Sequence, residues 1–549
     1  MLILASLSGI QAYLFDVREA GGKQARSLRN RSFRIQLLAE CVALRLLDSA
    51  KLPRERLLFC AAAKVCIDAA DLSPERIQAL RDTAAEMEAL LLTEAHGRLR
   101  LSVAFQDSSG SFEETFDLAN RALVVEKVRP FARAAIGNDG AWRGGSLILA
   151  KVWDADADAE RDAEIGRRLV KAQWLTIRRA GRASHSDGLD ALGLTVEIGH
   201  AEPESADGLV SYSNLRAPHT PARSIDRRLF HPRRLARHVP LEAGGNAIEF
   251  VELAAQSRGA AMLGVLKADV DSLGAAVSAT LRRANGNAAA ALRKLSEYLD
   301  QFFAETLEAV KEDRSAPWAN IYTVFSGGDD MLVVGPWDVV LDFAGQMQHM
   351  FSDRFGLLAQ NRPSATLLTI SAGVALIKPK YPIHLATAQA DELLERAKTE
   401  LSPRADQPKD QCAALGSVWK WQDHGRIIGA GKQLADWVKR DGNPDGVIQR
   451  GWLHTLLELA LLRRGQAGPE YAGVHPAVAA SRLAYHVARN WPKAGRQGDP
   501  APPARQWIDD ILREFDQYES TCHVDTTYLP AIVRYALLAT RSGSLEERS

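Results

Sequence analysis

Cysteine is scarce in this chain and poorly spaced for metal binding. Cys41, Cys60, Cys66, Cys412 and Cys522 are the only five in 549 residues, and no two form a Cys-x-x-Cys pair. That excludes the common structural zinc sites and a disulfide scaffold, and it fits a reduced, cytoplasmic setting. Net charge is also missing, since 68 Lys and Arg balance 68 Asp and Glu. A global electrostatic footprint of nucleic-acid binding is therefore absent, although a local one is not excluded. There is no apolar run of roughly 18 residues, so no membrane partner is expected. Met1–Leu7 lacks the basic region and the length of a signal peptide, and it reads as a first strand. What remains is an ordinary composition, 46% hydrophobic and 25% charged, on a chain long enough for several domains.

The most informative stretch is Ile321–Gly335. Two apolar, β-prone runs flank Ser326-Gly327-Gly328-Asp329-Asp330. This reads as a β-hairpin whose glycines supply the positive φ of a tight turn. Adjacent carboxylates at such a tip repel each other and need a cation to hold them. Carboxylates with phosphate oxygens and water make the hard-oxygen shell that Mg²⁺ prefers. Gly327 and Gly328, without side chains, let a nucleoside triphosphate approach the backbone. Upstream, Leu263–Gly274 is an apolar strand that ends in two acids, Asp269 and Asp271. One carboxylate there and one or two on the hairpin could clamp two metal ions roughly 3.5–4 Å apart, as phosphoryl and nucleotidyl transfer require. The bland alternative is a hairpin with a solvated acidic tip. The acidic strand end about 60 residues earlier argues against it.

From Leu263 the pattern alternates: strand, helix (Ala288–Val310), hairpin, helix (Trp337–Phe351), strand (Thr366–Ala375), helix (Ile383–Leu401). This β-α-β-β-α-β order is the ferredoxin-like plan. Nucleotide-polymerising palm domains and nucleotide cyclases share it, and the plan alone proves no function. The N-terminal part repeats the order with a strand at Leu2–Leu7, a helix at Ser27–Leu47, a hairpin at Leu57–Asp68, a helix at Pro74–Leu92, a strand at Arg98–Phe105 and a helix at Phe112–Val128. Side by side, Ser6 falls where Asp269 stands, and Cys60–Lys64 falls where Ser326–Asp330 stands. The first copy has lost every candidate metal carboxylate, and Lys64 puts a cation where an acid would sit. Near the end of the last helix, Lys398 could reach a phosphate as a point charge. Lys127 is its weaker counterpart, and a solvated helix lysine is the alternative for both.

Elsewhere the sequence is less specific. Asp154–Glu164 reads as a solvated helix start without the glycine turn of a calcium loop. Arg167–Arg182 reads as a basic helix with Trp174 in the core. After about Leu401 the pattern turns helical, with candidates at Gly429–Lys439, Gly451–Arg464, Pro476–Asn490, Ala504–Tyr518 and Leu529–Arg541. The expected fold is α+β, with two ferredoxin-like palm domains of the nucleotide-cyclase, GGDEF-like kind. The first spans 1–135 and is degenerate, and the second spans 246–410 and is catalytic. A linker domain at 136–245 lies between them, and a C-terminal helical bundle covers 411–549.

These stretches resemble the large, palm-containing subunit of type III CRISPR effector complexes, in particular the Csm (III-A) kind. The likeness is carried by Ser8–Gln11 with Ser27–Phe33, Leu266–Gly274, Tyr322–Trp337, and Ser371–Gly373 followed by Lys378–Ile383. It keeps the order of parts over most of the chain, although Gly-Gly-Asp-Asp itself is shared with diguanylate-cyclase-like domains. The resemblance implies a prokaryotic, cytoplasmic, antiviral enzyme that is activated by target RNA and condenses ATP into cyclic oligoadenylates, releasing pyrophosphate. Carried over by motif, Asp269 and Asp329 would ligate Mg²⁺ or Mn²⁺ in a two-metal site, and Asp330 would be a further catalytic or metal-binding acid. The backbone carbonyl of Val270 would complete a shell, and Ser326, Gly327, Gly328 and Lys398 would meet the nucleotide. The implied partners are other Csm-type subunits, guide CRISPR RNA and target RNA. The arginines of Arg216–Arg237, the most basic segment, would then contact RNA phosphate or an acidic neighbour, a solvated linker being the alternative.

Two departures from the family pattern stand out. Many members begin with an HD nuclease domain. This sequence opens on the first palm and holds no His-Asp dipeptide, so HD-type DNA cleavage is not expected. Many members also bind zinc through four cysteines between the palms. Arg216–Arg237 has none, and His219, His231 and His238 read as loop histidines, so no zinc is expected. Two other functions stay open. One is a stand-alone dinucleotide cyclase, which would need a sensory domain or a symmetric dimer. The other is a scaffold subunit whose palms bind nucleotide without turnover.

Overall fold

Two β-sheets of one topology organise the molecule. The first has the order β2-β3-β1-β4, from β1 (Leu2–Ser8), β2 (Leu57–Ala61), β3 (Lys64–Asp68) and β4 (Arg100–Gln106). A three-stranded sheet follows, made of β5 (Trp174–Arg179), β6 (Leu194–Gly199) and β7 (Leu209–Asn214). The third sheet contains β8 (Leu263–Val270), β9 (Tyr322–Gly327), β10 (Asp330–Pro336), β11 (Ile370–Ile377), β12 (Gln411–Ala414) and β13 (Ser417–Lys420). Its order, β9-β10-β8-β11, repeats that of the first sheet, and β12 and β13 extend it beyond β11. The computed structural model describes residues 1–541 except 16–23, 62, 109, 137–154, 180–188, 224, 233–237, 243–244, 285, 314, 361–367, 441–442, 492–501 and 516–522. Among these residues no helix is long and apolar enough to cross a membrane.

The duplication holds at the level of register. Ser6 pairs with Lys64 across β1 and β3, as Asp269 pairs with Asp330 across β8 and β10. Alternation then assigns the faces of the second-palm sheet. Leu266, Ala268, Val270, Met331 and Val333 join a core with Phe302, Trp337 and the C-terminal helices. Leu263, Val265, Leu332 and Val334 turn the other way, into a core shared with Phe33 and Leu38 of the first palm. Asp269 and Asp330 share the parity of this second set, so they lie on the face that meets the first palm. The Tyr322 hydroxyl ties the two palms by donating to the Ala25 carbonyl.

The linker is clamped to both palms. Asn30 and Arg31, on the helix Gln24–Ser49, bond the two oxygens of Asp162 at 2.7 and 2.8 Å. Gly166 permits this approach, because an added Cβ would lie 2.0 Å from the Arg26 carbonyl. On the other side the His238 carbonyl accepts from Thr323 N–H at 3.0 Å, which covers the outer edge of β9. The buried Lys311–Glu308 ion pair lies beneath it, with Glu308 also accepting from His238 N–H.

Several expectations need correction. The acidic run is not wholly solvated, since Asp162 is buried by its partners; Asp154 lies outside the described residues. The basic helix ends at Lys171, and Trp174–Arg179 is a strand, because Trp-Leu-Thr-Ile is β-branched and aromatic. Trp174 is in the core, tilted against Tyr212 at 6.3 Å. The helix expected over Ala288–Val310 widens into a π-helical turn at Phe302–Thr306. A further helix, Leu273–Arg283, precedes it. The strand expected from Thr366 begins at Ile370, and 361–367 lie outside the described residues. The region after Leu401 is not purely helical, because β12 and β13 continue the palm sheet past residue 410.

His424 records how tightly the C-terminal helices close on the second palm. It is 5% exposed. Its Nδ1 accepts from Trp419 Nε1 at 3.1 Å, and its Nε2 donates to the Leu341 carbonyl at 2.9 Å, so the ring is neutral. Burial pushes its pKa down to about 4. Between about pH 6.5 and 4 the unfolded chain takes up a proton that the folded chain refuses, so stability falls with pH by about 3 kcal/mol. Urea unfolding from pH 7 down to pH 4 should show this component in the natural chain and lose it in His424→Gln. An identical pH slope in both would refute the assignment.

Candidate active site

The chain reverses at Gly328. Its φ of +70° suits the first central position of a two-residue type II′ hairpin turn, where glycine is favoured. Asp329 is the second turn residue, and the turn closes on the Gly327–Asp330 pair. Asp330 is also directly opposite Asp269, which puts their Cβ atoms about 4.5–5.5 Å apart. The Asp329 carbonyl accepts from Val270 N–H at 3.0 Å, drawing the turn over the end of β8. Asp269, Val270, Asp329 and Asp330 therefore stand together.

Burial raises the proton affinity of two of these acids, Asp330 and Asp269. Burial, then Asp329 and Asp269, push Asp330 up to about 7, against the opposing charges of Lys267 and Lys64. Asp269 is raised as well, chiefly by burial, with Lys398 opposing the shift. The Lys398 ammonium hydrogen-bonds Asp269 Oδ2. Lys267, two residues before Asp269 and so on the same face, pairs with Asp391 Oδ1. Asp391 Oδ2 accepts from Gln11 Nε2 of the first palm at 3.0 Å. A Gln11–Asp391–Lys267 bridge thus joins the palms beside the acidic cluster. Lys267 and Asp391 had no assigned role in the sequence reading. The signal was the period-2 alternation of β8 and the seven-residue spacing of Asp391 and Lys398 on one helix.

The helix bearing both residues, Ile383–Thr399, rides directly on β11. At Gly373 an added Cβ would lie 2.4 Å from both Ala390 O and Leu394 N. Gly373→Ala should lift the helix and cost about 1–3 kcal/mol by overpacking. A lower urea midpoint would show it, and an unchanged midpoint would contradict the close approach.

The remaining residues divide clearly. Asp271 faces away and is saturated. Its carboxylate accepts from the Thr369 and Ser371 hydroxyls at 2.9 Å and from Asp410 N–H at 3.0 Å. The Ser326 hydroxyl donates to Phe303 O at 2.7 Å, anchoring β9 to the π-helical turn. At Gly327 the nearest atom an added Cβ would meet is Asp300 Oδ1 at 3.6 Å, so packing does not demand glycine there. His219, His231 and His238 go separate ways, to Glu305 at 3.2 Å, Glu40 at 3.9 Å and the Ala319 carbonyl at 2.9 Å. Arg216 bonds carbonyls of residues 170–172 and Arg228 bonds Asp226, while residues 233–237 lie outside the described part. Among the described residues no group of three or more His, Cys, Asp or Glu side chains is arranged to hold a metal ion.

The acidic hairpin opens on a cleft of about 640 Å³ between the palms, within the roughly 300–1,000 Å³ usual for small-molecule sites. Cys60, Ala61 and Ala63 line it from the first palm, and Ser326, Gly327 and Asp330 from the second. The two hairpin tips that the duplication aligns therefore face one space.

Comparison with known proteins finds a match to each palm. The family model of the Cas10/Cmr2 second palm domain matches residues 262–406, and that of Csm1 subunit domain B matches residues 1–136. The Cas10/Csm1 protein of Thermococcus onnurineus, described as a CRISPR system single-strand-specific deoxyribonuclease (subtype III-A), is 24% identical over 515 residues. The match covers 84% of this chain and 62% of that protein. The Mycobacterium tuberculosis protein of the same description is 31% identical over 164 residues, 28% of this chain and 19% of its own length. Among solved structures, a Csm1–Csm4 cassette in complex with cA4 aligns with a TM-score of 0.71 at 19% identity, over 98% of this chain and 70% of that one. A Csm1–Csm4 cassette in complex with one ATP gives 0.67 at 20% identity, over 94% and 69%. Both palms are thus matched in order by domain models of Cas10/Csm1 proteins, and the fold is shared with Csm1 along nearly the whole chain.

Proposed function

We propose that this chain is a nucleotidyltransferase that converts ATP into cyclic oligoadenylate and pyrophosphate when target RNA is bound, as a subunit of a Csm-type complex with guide RNA. The observation that carries the reading is the register-locked pair Asp269–Asp330, with Asp329 beside it, at a cleft shared by two palms. A carboxyl held near neutrality between two others is a place built for positive charge. The donor set fits Mg²⁺ or Mn²⁺, because every candidate ligand is a hard oxygen. Asp269, Asp329, Asp330 and the Val270 carbonyl would hold the ions, which supply charge neutralisation at the attacking and leaving oxygens.

The protein's own groups do the rest. One ATP presents its 3′-hydroxyl and the other its α-phosphorus; the new P–O bond forms as the bond to the β-phosphate oxygen breaks and pyrophosphate leaves. Gly327 and Gly328 leave the backbone bare for the triphosphate. Lys398, which neutralises Asp269 in the free protein, would turn to phosphate once cations take its place. The ligands of the similar cassettes support this choice of substrate, since ATP is bound in one and cA4 in another. The deoxyribonuclease activity in the relatives' names belongs to proteins of which this chain spans 62% or less, and it is not part of the proposal.

A second reading is favoured by one feature, the Lys398–Asp269 pair, which leaves no metal cluster ready-made among the described residues. It is a scaffold that binds nucleotide without turnover. Mass spectrometry of the complex incubated with ATP, Mg²⁺ and matched target RNA separates the two. Cyclic oligoadenylate that disappears with EDTA is expected. ATP bound but recovered intact would establish the scaffold instead.

A further inference from the structure

Asp271 is the acid that the proposed chemistry leaves aside. Its side chain is buried, and it is bonded to β11 and to the segment entering β12. The Thr369 and Ser371 hydroxyls reach it from one, and the Asp410 N–H from the other. Register places these partners beside the acidic cluster. Ser371 is directly opposite Asp269, and Ile370, between the two hydroxyl residues, is opposite Val270.

The backbone makes a further link. Asp271 N–H donates to the Thr369 carbonyl at 2.8 Å, so it points from β8 towards β11. The peptide unit that joins Val270 to Asp271 is planar and trans, so its C=O and N–H point opposite ways. The Val270 carbonyl is thereby aimed at the other neighbour of β8, the β10 side, where Val270 N–H meets the Asp329 carbonyl.

Two strained turns hold this arrangement. Ser272 has a φ of +54°, and Lys409 and Asp410 have +69° and +51°. None is glycine, and such residues stay in left-handed backbone only where their surroundings enforce it. Here each turn enforces the other. Lys409 Nζ donates to Ser272 Oγ at 2.7 Å, Asp410 N–H donates to Asp271, and Lys420 Nζ from β13 donates to the Lys409 carbonyl at 2.6 Å. Removing the Asp271 carboxylate takes the acceptor from all its donors at once. The first group free to swing is then the Val270 carbonyl.

We propose that Asp271 is a positioning residue for the acidic end of β8. Clasped to β11 and to the Lys409–Asp410 turn, it aims the Val270 carbonyl and steadies Asp269 for a divalent cation. The cation itself rests on the nucleotidyltransferase reading.

Amide hydrogen exchange of the full chain reads the clasp without metal or substrate. In Asp271→Ala the Val270 amide should exchange about tenfold or more faster, while Leu263–Leu266 at the other end of β8 keep their rates. In the complex with matched target RNA, the Mg²⁺ concentration for half-maximal product formation should rise about 10–100-fold, as when the partner of a metal-binding group is removed. The maximal rate should return at saturating Mg²⁺. Asp271→Asn keeps the shape and can still accept from Asp410 N–H while the hydroxyls turn round to accept from its amide, so it should restore most of both readouts. Should Asp271→Ala fail to fold, Ser371→Ala must move both in the same direction. A merely structural residue would lower the urea midpoint and speed exchange along all of β8 with the Mg²⁺ midpoint unmoved, and that result overturns the proposal. Product from the natural complex with an unmoved Mg²⁺ midpoint in the variant sinks only the positioning role. Local loosening at Val270 in the variant, with no product from the natural complex, keeps the clasp and sinks only the transferase.

Discussion

Replacing Asp329 and Asp330 together by alanine should cut conversion of ATP by on the order of a thousandfold or more, since charge stabilisation by bound metal contributes several kcal/mol to such a transfer. The same change should not weaken the fold. Asp330 is directly opposite another acid, and like charges in that position repel. The proton affinity of Asp330 is raised to about 7 by burial first and then by the charges of Asp329 and Asp269. Thermal melting at pH 8 should therefore show the double variant at least as stable as the natural chain, with product formation gone. This opposite movement of activity and stability marks residues kept for function rather than packing. Undiminished radiolabelled product in Mg²⁺ would end the metal assignment, and a collapsed melting temperature would mean that the turn is structural after all.

The second large effect concerns RNA. Joining two nucleotides across the palms demands alignment of a 3′-hydroxyl with an α-phosphorus, and in well-oriented systems such alignment contributes roughly 7–11 kcal/mol. A small rotation between the palms is then enough to switch synthesis. The contacts that such a rotation would disturb lie close to the site. They include the Gln11–Asp391–Lys267 bridge and the linker strap from His238 onto β9. With guide RNA alone the complex should make almost no product, and complementary target should raise the initial rate by orders of magnitude. Initial rates with matched, mismatched and absent target decide the matter. Equal rates in all three would remove RNA gating and favour a constitutive cyclase.

Much of the palm architecture was legible because its signals are local. Strands β8, β9 and β10 alternate or run apolar up to glycine or acid, and the same order recurs in the first palm, so register could be anticipated down to Ser6 against Asp269. The missed parts lack such periodicity. Gln411–Ala414 and Ser417–Lys420 are four residues each, too short to show a period of two. Leu273–Arg283 is rich in small residues around Gly274, which blurs a helical stripe. Trp174–Arg179 was absorbed into the basic helix because arginines run through both. At the site, the adjacency of Asp269 and Asp330 followed from strand order. The role of Lys398 as partner to Asp269 did not, because a lysine on a helix gives no sign of which sheet position it will meet. Gly373 carried a hint, since a glycine inside a strand often marks a close backbone approach.

Strands β12 and β13 have a mechanical meaning. β12 runs parallel to β11 through Ala372–Cys412 and Gly373–Ala413, and the helix Trp421–Asp436 leaves β13 without a break. Trp421 Nε1 then donates back to the Ile370 carbonyl at 2.7 Å. The helical part is therefore not a bead on a string. Its amides and those of β11 should exchange with solvent in a single opening event. Any neighbour that grips those helices holds β11, and through it β8, as one stiff lever whose far end is Asp269.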